Sequence, residues 1–317
     1  MKKNFLYNLI SIESDEYKFI AKVFGLKFSV KTKLGKQRSL LSKIQINIDS
    51  NPKYALKLLK TYLNKYNLSE IADVLKVANF AYENNFKNED IEKSAFIYRQ
   101  LKQNLKKKSL EKYLKGKIVA IVGNSNYEIG TGHGKEIDSH DVVVKFNNYP
   151  DNFINDYGEQ CNIWVRGFGK EGEILDRDLK KYDYVILGPL TAGAILPSFI
   201  KTWLYESIKK YPEKILCYDP SFRTNELPKY GIEMPTNGFL AIVYIKSIVP
   251  IKNIKVYGFS FLNDEGKEDN THFYDDKSTI SFHKSMDYER NVLRKLFKQN
   301  LWIKIINKEK IIWKIKK

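Results

Sequence analysis

The sequence predicts an α/β protein: a mainly parallel β-sheet flanked by helices on both faces, preceded by an all-helical N-terminal domain. Three observations predict it. Before Gly116, apolar residues recur at i, i+3 and i+4 spacing; after it, short β-branched runs alternate with helical stretches. Those runs are also almost continuously apolar, as strands covered on both faces must be. The chain is therefore read as a helical domain over 1–115 and a sheet-bearing domain over 116–317.

The N-terminal helices are Tyr54–Tyr66, Ile71–Tyr82 and Ile91–Leu105. Asp49-Ser50-Asn51 before Pro52, and Asn88-Glu89-Asp90, supply helix starts. No clean period of about 34 residues marks a repeat array. Beyond Gly116 the expected strands are Lys117–Val122, Val142–Phe146, Asn162–Val165, Tyr184–Leu187, Ile215–Tyr218, Ile254–Gly258 and Trp302–Ile306. The expected helices are Phe199–Lys210, Gly238–Val249 and Tyr288–Gln299. Ligands of such sheets gather beyond the carboxyl ends of the strands, so the chemistry is sought there.

The 317 residues carry a formal charge of +17, which draws polyanions to the surface. The lysines are spread along the chain and do not form one stripe interleaved with aromatics, so no nucleic-acid partner is expected. Two cysteines, Cys161 and Cys217, give neither a disulfide framework nor zinc spacing. No run approaches the roughly 18 apolar residues of a membrane span, and Glu13, Asp15 and Glu16 interrupt the apolar start. The expectation is a cytoplasmic protein. Its basic tail, KIIWKIKK, reads equally as a last strand or as a peripheral contact with the inner membrane.

The first strand of the sheet runs into Gly123-Asn124-Ser125, where a glycine admits close backbone approach and the Asn and Ser offer hydrogen bonds. A nucleotide-binding turn and a structural turn fit this equally. A phosphate-binding P-loop does not fit, because Gly134-Lys135 is followed by Glu136. A dinucleotide GxGxxG fails as well, its third glycine being misplaced. Asp176-Arg177-Asp178 has the form of a metal-binding DxD but sits in a charged stretch read as a helical, solvated surface.

The wider segment GKIVAIVGNSNYEIGTGHGKEIDSHDVVVKFNNYP resembles the long sialyl motif of the eukaryotic-type sialyltransferases. It shares the VGNS turn, Gly134, the run Glu136-Ile137-Asp138-x-His140-Asp141, and a second strand ending in Phe146-Asn147. Pro235-Thr236-Asn237-Gly238 resembles the short motif, with Asn237 where the family usually has Ser or Thr. His272-Phe273-Tyr274-Asp275 resembles the third motif. His283 with Glu289 resembles the very short one, with one extra residue between them. Lys145 stands where the family has arginine.

This resemblance implies a bacterial member of the family with a Rossmann-like sheet, the sialyltransferase-like variant of the GT-A fold. It implies a CMP-sialic acid donor held by Gly123, Asn124, Ser125, Asn147, Thr236, Asn237, Gly238 and Tyr274. The implied catalytic residues are His283 as base and His272 on the departing phosphate. For His272 a loop histidine packed on aromatics fits equally, and His133 and His140 are read as structural. CMP is its own leaving group, so neither metal nor cofactor is expected. The acceptor would be a glycan of a capsule, lipooligosaccharide or similar polymer, with a lipid-linked form among the candidates. Two alternatives stay open: another CMP-linked acid sugar such as Kdo, and a non-catalytic nucleotide- or glycan-binding protein.

Overall fold

The computed structural model describes residues 10–14, 18–23, 26–104, 107–167, 174–188, 196, 198–218, 222–232, 235–262 and 288–297. They form two compact units, one within Met1–Arg99 and Gly193–Tyr205, the other within Gln100–Ala192 and Glu206–Lys317.

The first unit corrects the all-helical expectation. Ahead of its helices, β1 (Ile10–Ser14), β2 (Lys18–Val23) and β3 (Leu26–Lys31) form an antiparallel sheet in the order β1-β2-β3. The signal was present: Leu26, Phe28 and Val30 alternate with Lys27, Ser29 and Lys31, a period of two that no helix shares.

The three helices read from the sequence follow, behind an earlier one over Lys33–Ser50 that the reading did not mark. Thr32 caps α1 (Lys33–Ser50), and Asn51 caps α2 (Pro52–Leu63), accepting from Tyr54 N at 3.1 Å with proline in the first turn. After α3 (Leu75–Glu83), Asn88 Oδ1 accepts from Ile91 N at 2.8 Å at the start of α4 (Glu89–Asn104). Leu41, Ile44, Leu59, Ile71, Val77 and Ile91 close the core between them.

The second unit starts earlier than composition indicated. In α5 (Lys107–Leu114), Leu110 and Leu114 are fully buried in the core of the large sheet. The helical period of α5 matches that of α1–α4, so the sequence marks it as a helix without telling which core it faces.

Six parallel strands make the sheet: β4 (Val119–Val122), β5 (Val142–Phe146), β6 (Ile163–Arg166), β7 (Tyr184–Leu187), β8 (Ile215–Cys217) and β9 (Ile254–Tyr257). Their order is β8-β7-β6-β5-β4-β9. These are the expected strands; Trp302–Ile306 lies outside the described residues.

One face, bearing Val119, Ile121, Val142, Val144 and Phe146, packs on Phe239–Ile245 of α9 (Asn237–Lys246). The other, bearing Ala120, Val122 and Val143, is covered by Ile137 of α6 (Gly134–Asp138) and Tyr157 of α7 (Ile154–Tyr157). Between β7 and β8 in the chain lies α8 (Ser198–Lys210), and a further helix covers 288–297. Among the described residues no helix is long and apolar enough to cross a membrane.

The chain steps outward from β4 through β5, β6, β7 and β8, then returns to lay β9 on the other side of β4. This reversal is a topological switch point, where diverging connections open a crevice at the carboxyl ends of the strands.

Candidate functional site

Minimal side chains meet that crevice. Glycine directly follows β4 (Gly123), β6 (Gly167), β7 (Gly188) and β9 (Gly258). After β5 stands Asn147, at φ 44, a left-handed conformation rare outside glycine. Gly123 and Gly258 touch backbone to backbone, so that a Cβ on either would run into the carbonyl oxygen of the other. Gly123 N donates to Tyr257 O at 2.8 Å and Ser125 N to Gly258 O at 2.9 Å.

Across the strand ends runs a row of side-chain amides. Asn124 Nδ2 donates to Phe146 O at 3.1 Å, while its Oδ1 is buried with no hydrogen-bond partner among the described residues. Asn147 Oδ1 accepts from Gly167 N at 2.7 Å. Asn237 completes the row: its amide occupies the space that side chains at 167 and 188 would need. The two glycines thus make room for the Asn237 side chain. Gly238 likewise leaves room for the Phe259 ring, which meets Phe146 edge-on at 6.0 Å between centroids.

Thr236 caps α9, its Oγ1 accepting from Phe239 N at 3.2 Å. The first N–H groups of the helix have no partner in its own ladder and face its positive end. Thr236 is itself held by the buried carboxylate of Glu289, which accepts from Thr236 N at 2.9 Å and from Thr236 Oγ1 at 2.7 Å. Glu289→Ala leaves a backbone N–H unpaired. It is expected to cost about 1.5–3 kcal/mol of stability, read as a lower urea midpoint, with Glu289→Gln recovering part of it.

The acidic run of the long motif braces the fold around the site. Glu136 accepts from Tyr257 OH at 2.8 Å, Asp138 from Glu159 N and Gln160 N at 2.9 Å each, and Asp141 from Ile118 N at 2.7 Å. His140 Nδ1 lies 2.8 Å from Glu136 O. Lys145 is wholly buried and donates to Gly158 O at 2.6 Å; burial holds its ammonium below the usual lysine range.

The DxD stretch is extended, not helical. Arg177 fixes it by bonding both oxygens of Asp151 at 3.0 Å and Tyr149 O at 2.8 Å, while Asp176 reaches Arg166 and Asp178 caps a 3-10 turn. No metal-holding group of His, Cys, Asp or Glu occurs among the described residues. A 700 Å³ cavity bordered by Tyr149, Arg177 and Tyr182 is lined by none of the predicted site residues.

The profile of Glycosyltransferase family 29 (sialyltransferase) matches residues 64–167 and 179–301. The chain belongs to the sialyltransferase family. The CMP-N-acetylneuraminate-beta-galactosamide-alpha-2,3-sialyltransferase 1 of Mus musculus is 30% identical over 152 residues, covering 44% of each chain. Its Homo sapiens counterpart is 27% identical over 191 residues, 55% of this chain and 54% of that protein. The chain thus spans about half the length of the curated relatives it matches.

A crystal structure of a mammalian sialyltransferase in complex with Gal-beta-1-3GalNAc-ortho-nitrophenol aligns at 18% identity and a TM-score of 0.47. The alignment covers 74% of this chain and 90% of that one. Another mammalian sialyltransferase structure aligns at 20% identity with the same TM-score, over 74% and 84%.

Of the residues matched to the sialyltransferase motifs, Gly123, Asn124, Ser125, Asn147, Thr236, Asn237 and Gly238 meet at the carboxyl end of the sheet. His272, Tyr274 and His283 lie outside the described residues. The sequence reading missed Gly167 and Gly188. Their signal was an apolar strand running directly into glycine, the pattern already noted at Gly123.

Proposed function

We propose that this sialyltransferase-family chain transfers sialic acid from CMP-sialic acid to a glycan acceptor, inverting the anomeric centre. The row formed by Asn124, Asn147 and Asn237 carries this reading. It lies across glycine-tipped strands at the switch point, with the Asn124 Oδ1 acceptor unpartnered among the described residues. Amides that both donate and accept suit a cytidine base and sugar hydroxyls. The start of α9, at the positive end of the helix dipole, suits a phosphate or carboxylate.

In the proposed reaction His283 takes the proton of an acceptor hydroxyl as its oxygen bonds to the anomeric carbon. The bond from that carbon to the phosphate oxygen breaks, and CMP departs with both electrons. His272, Tyr274 and the backbone N–H groups receive the phosphate charge. No metal is needed, because CMP is already a competent leaving group. The acceptor is proposed to be a lipid-linked glycan reached at a membrane surface, a setting that suits the +17 charge and the KIIWKIKK tail.

Side-by-side hydrolysis of CMP-sialic acid and CMP-Kdo tests the donor. Turnover of the first and persistence of activity in EDTA are expected. Turnover of CMP-Kdo alone would transfer the assignment to another acid sugar.

A further inference from the structure

We infer that Glu128 is a positioning residue of the Gly123–Ser125 turn, with His133 as the partner that orients its carboxylate. The inference rests on the proposed donor site and names what holds that site in shape. Glu128 is 5% exposed, in a loop that otherwise faces solvent at Gly130, Thr131 and Gly132. Burying a carboxylate there is costly, and its bonds explain it.

One oxygen, Oε2, accepts from Gly258 N at 2.6 Å. Gly258 is the left-handed residue, φ 62, whose carbonyl accepts from Ser125 N and whose backbone presses on Gly123. Glu128 thus fastens the far side of the contact that shapes the turn. Without it, a buried N–H at the strand end has no partner, and the Gly123–Gly258 contact can open. Tyr157 OH holds the near side, donating to Ser125 O at 2.6 Å.

The other oxygen, Oε1, lies 2.6 Å from His133 Nδ1 and accepts from Thr131 Oγ1 at 3.0 Å. Among the described residues His133 is the one basic side chain within salt-bridge distance of Glu128. The imidazole, 45% exposed at its side chain, is braced edge-on against Tyr257, 5.8 Å between centroids. Tyr257 in turn precedes Gly258 and is fixed through its hydroxyl to Glu136. The pair therefore ties the loop after β4 to the end of β9.

Steady-state kinetics with CMP-sialic acid, beside thermal unfolding, test this. Glu128→Ala is expected to raise the donor KM about tenfold or more, with kcat within about threefold of wild type. Glu128→Gln, which keeps an acceptor for Gly258 N, should recover most of that affinity. His133→Ala, at an exposed position that does not threaten folding, should raise KM by an intermediate amount.

A wild-type donor KM in both Glu128→Ala and His133→Ala overturns the inference. So does a Glu128→Gln enzyme as weak as Glu128→Ala while melting like wild type. If Glu128→Ala does not fold, the His133→Ala and Glu128→Gln arms decide. A wild-type protein that neither binds nor turns over CMP-sialic acid overturns instead the donor reading beneath, and the inference falls with it.

Discussion

Replacing His283 with alanine is expected to lower kcat by ~10²–10⁴-fold while leaving affinity for CMP within a few-fold of wild type. A sugar hydroxyl is a poor nucleophile until a base shares its proton, and that assistance acts only as the new bond forms. The loss should therefore fall on kcat and not on donor binding. Two of the four histidines are committed elsewhere: His133 Nδ1 to Glu128, and His140 Nδ1 to the carbonyls of Glu136 and Ile137. Initial rates at saturating acceptor, paired with calorimetric titration of CMP, separate the two parameters. Undiminished turnover would remove His283 as the base.

The second large effect is expected at Gly123. Its backbone has an ordinary φ, so alanine meets no conformational penalty there. The added Cβ runs instead into the Gly258 carbonyl, a backbone atom that cannot swing aside as a flexible side chain would. Relief requires β4 and β9 to part where Ser125 N bonds Gly258 O. We expect a loss of about 1–3 kcal/mol or more in urea unfolding, together with loss of CMP binding.

Gly130→Ala is the internal control. It lies on the same loop at φ 84 with nothing within 4 Å of its Cβ position. It should show only the left-handed penalty of about 1–2 kcal/mol, with donor affinity kept. Equal CMP binding by the two variants would show that the glycine contact does not shape the turn.

Much of the sheet-bearing unit was legible before any coordinates. Short apolar and β-branched runs, alternating with helical stretches, located β4 to β9. Thr236, followed by a glycine and an apolar stretch, marked the start of α9. These are local signals, written in side-chain period and cap chemistry. Signals of the same kind were present but unread at β1–β3, where alternation was taken together with the helices that follow it. At Asp176–Asp178, charge density was read as a helix although the stretch lacks an apolar stripe.

The motifs keep the seven described residues of the proposed site in short runs, so the sequence could group them. The contacts that make those runs a site were not. Glu128 meets Gly258 across 130 positions, and Glu289 meets Thr236 across 53. Neither glutamate differs in local sequence from a solvated one. Each becomes a buried clamp only because β9 returns beside β4, and because the helix over 288–297 comes to lie by the start of α9.

The sequence by itself determined the elements, the family and the identities at the strand ends, since periodicity and motif spacing act over a few residues. Only the tertiary structure decided which strand ends are neighbours. It alone showed that Gly167 and Gly188 make room for Asn237, and that Gly123 and Gly258 must both lack a side chain. Those are facts of strand order and close packing, in which each residue's fitness depends on an atom far away in the chain.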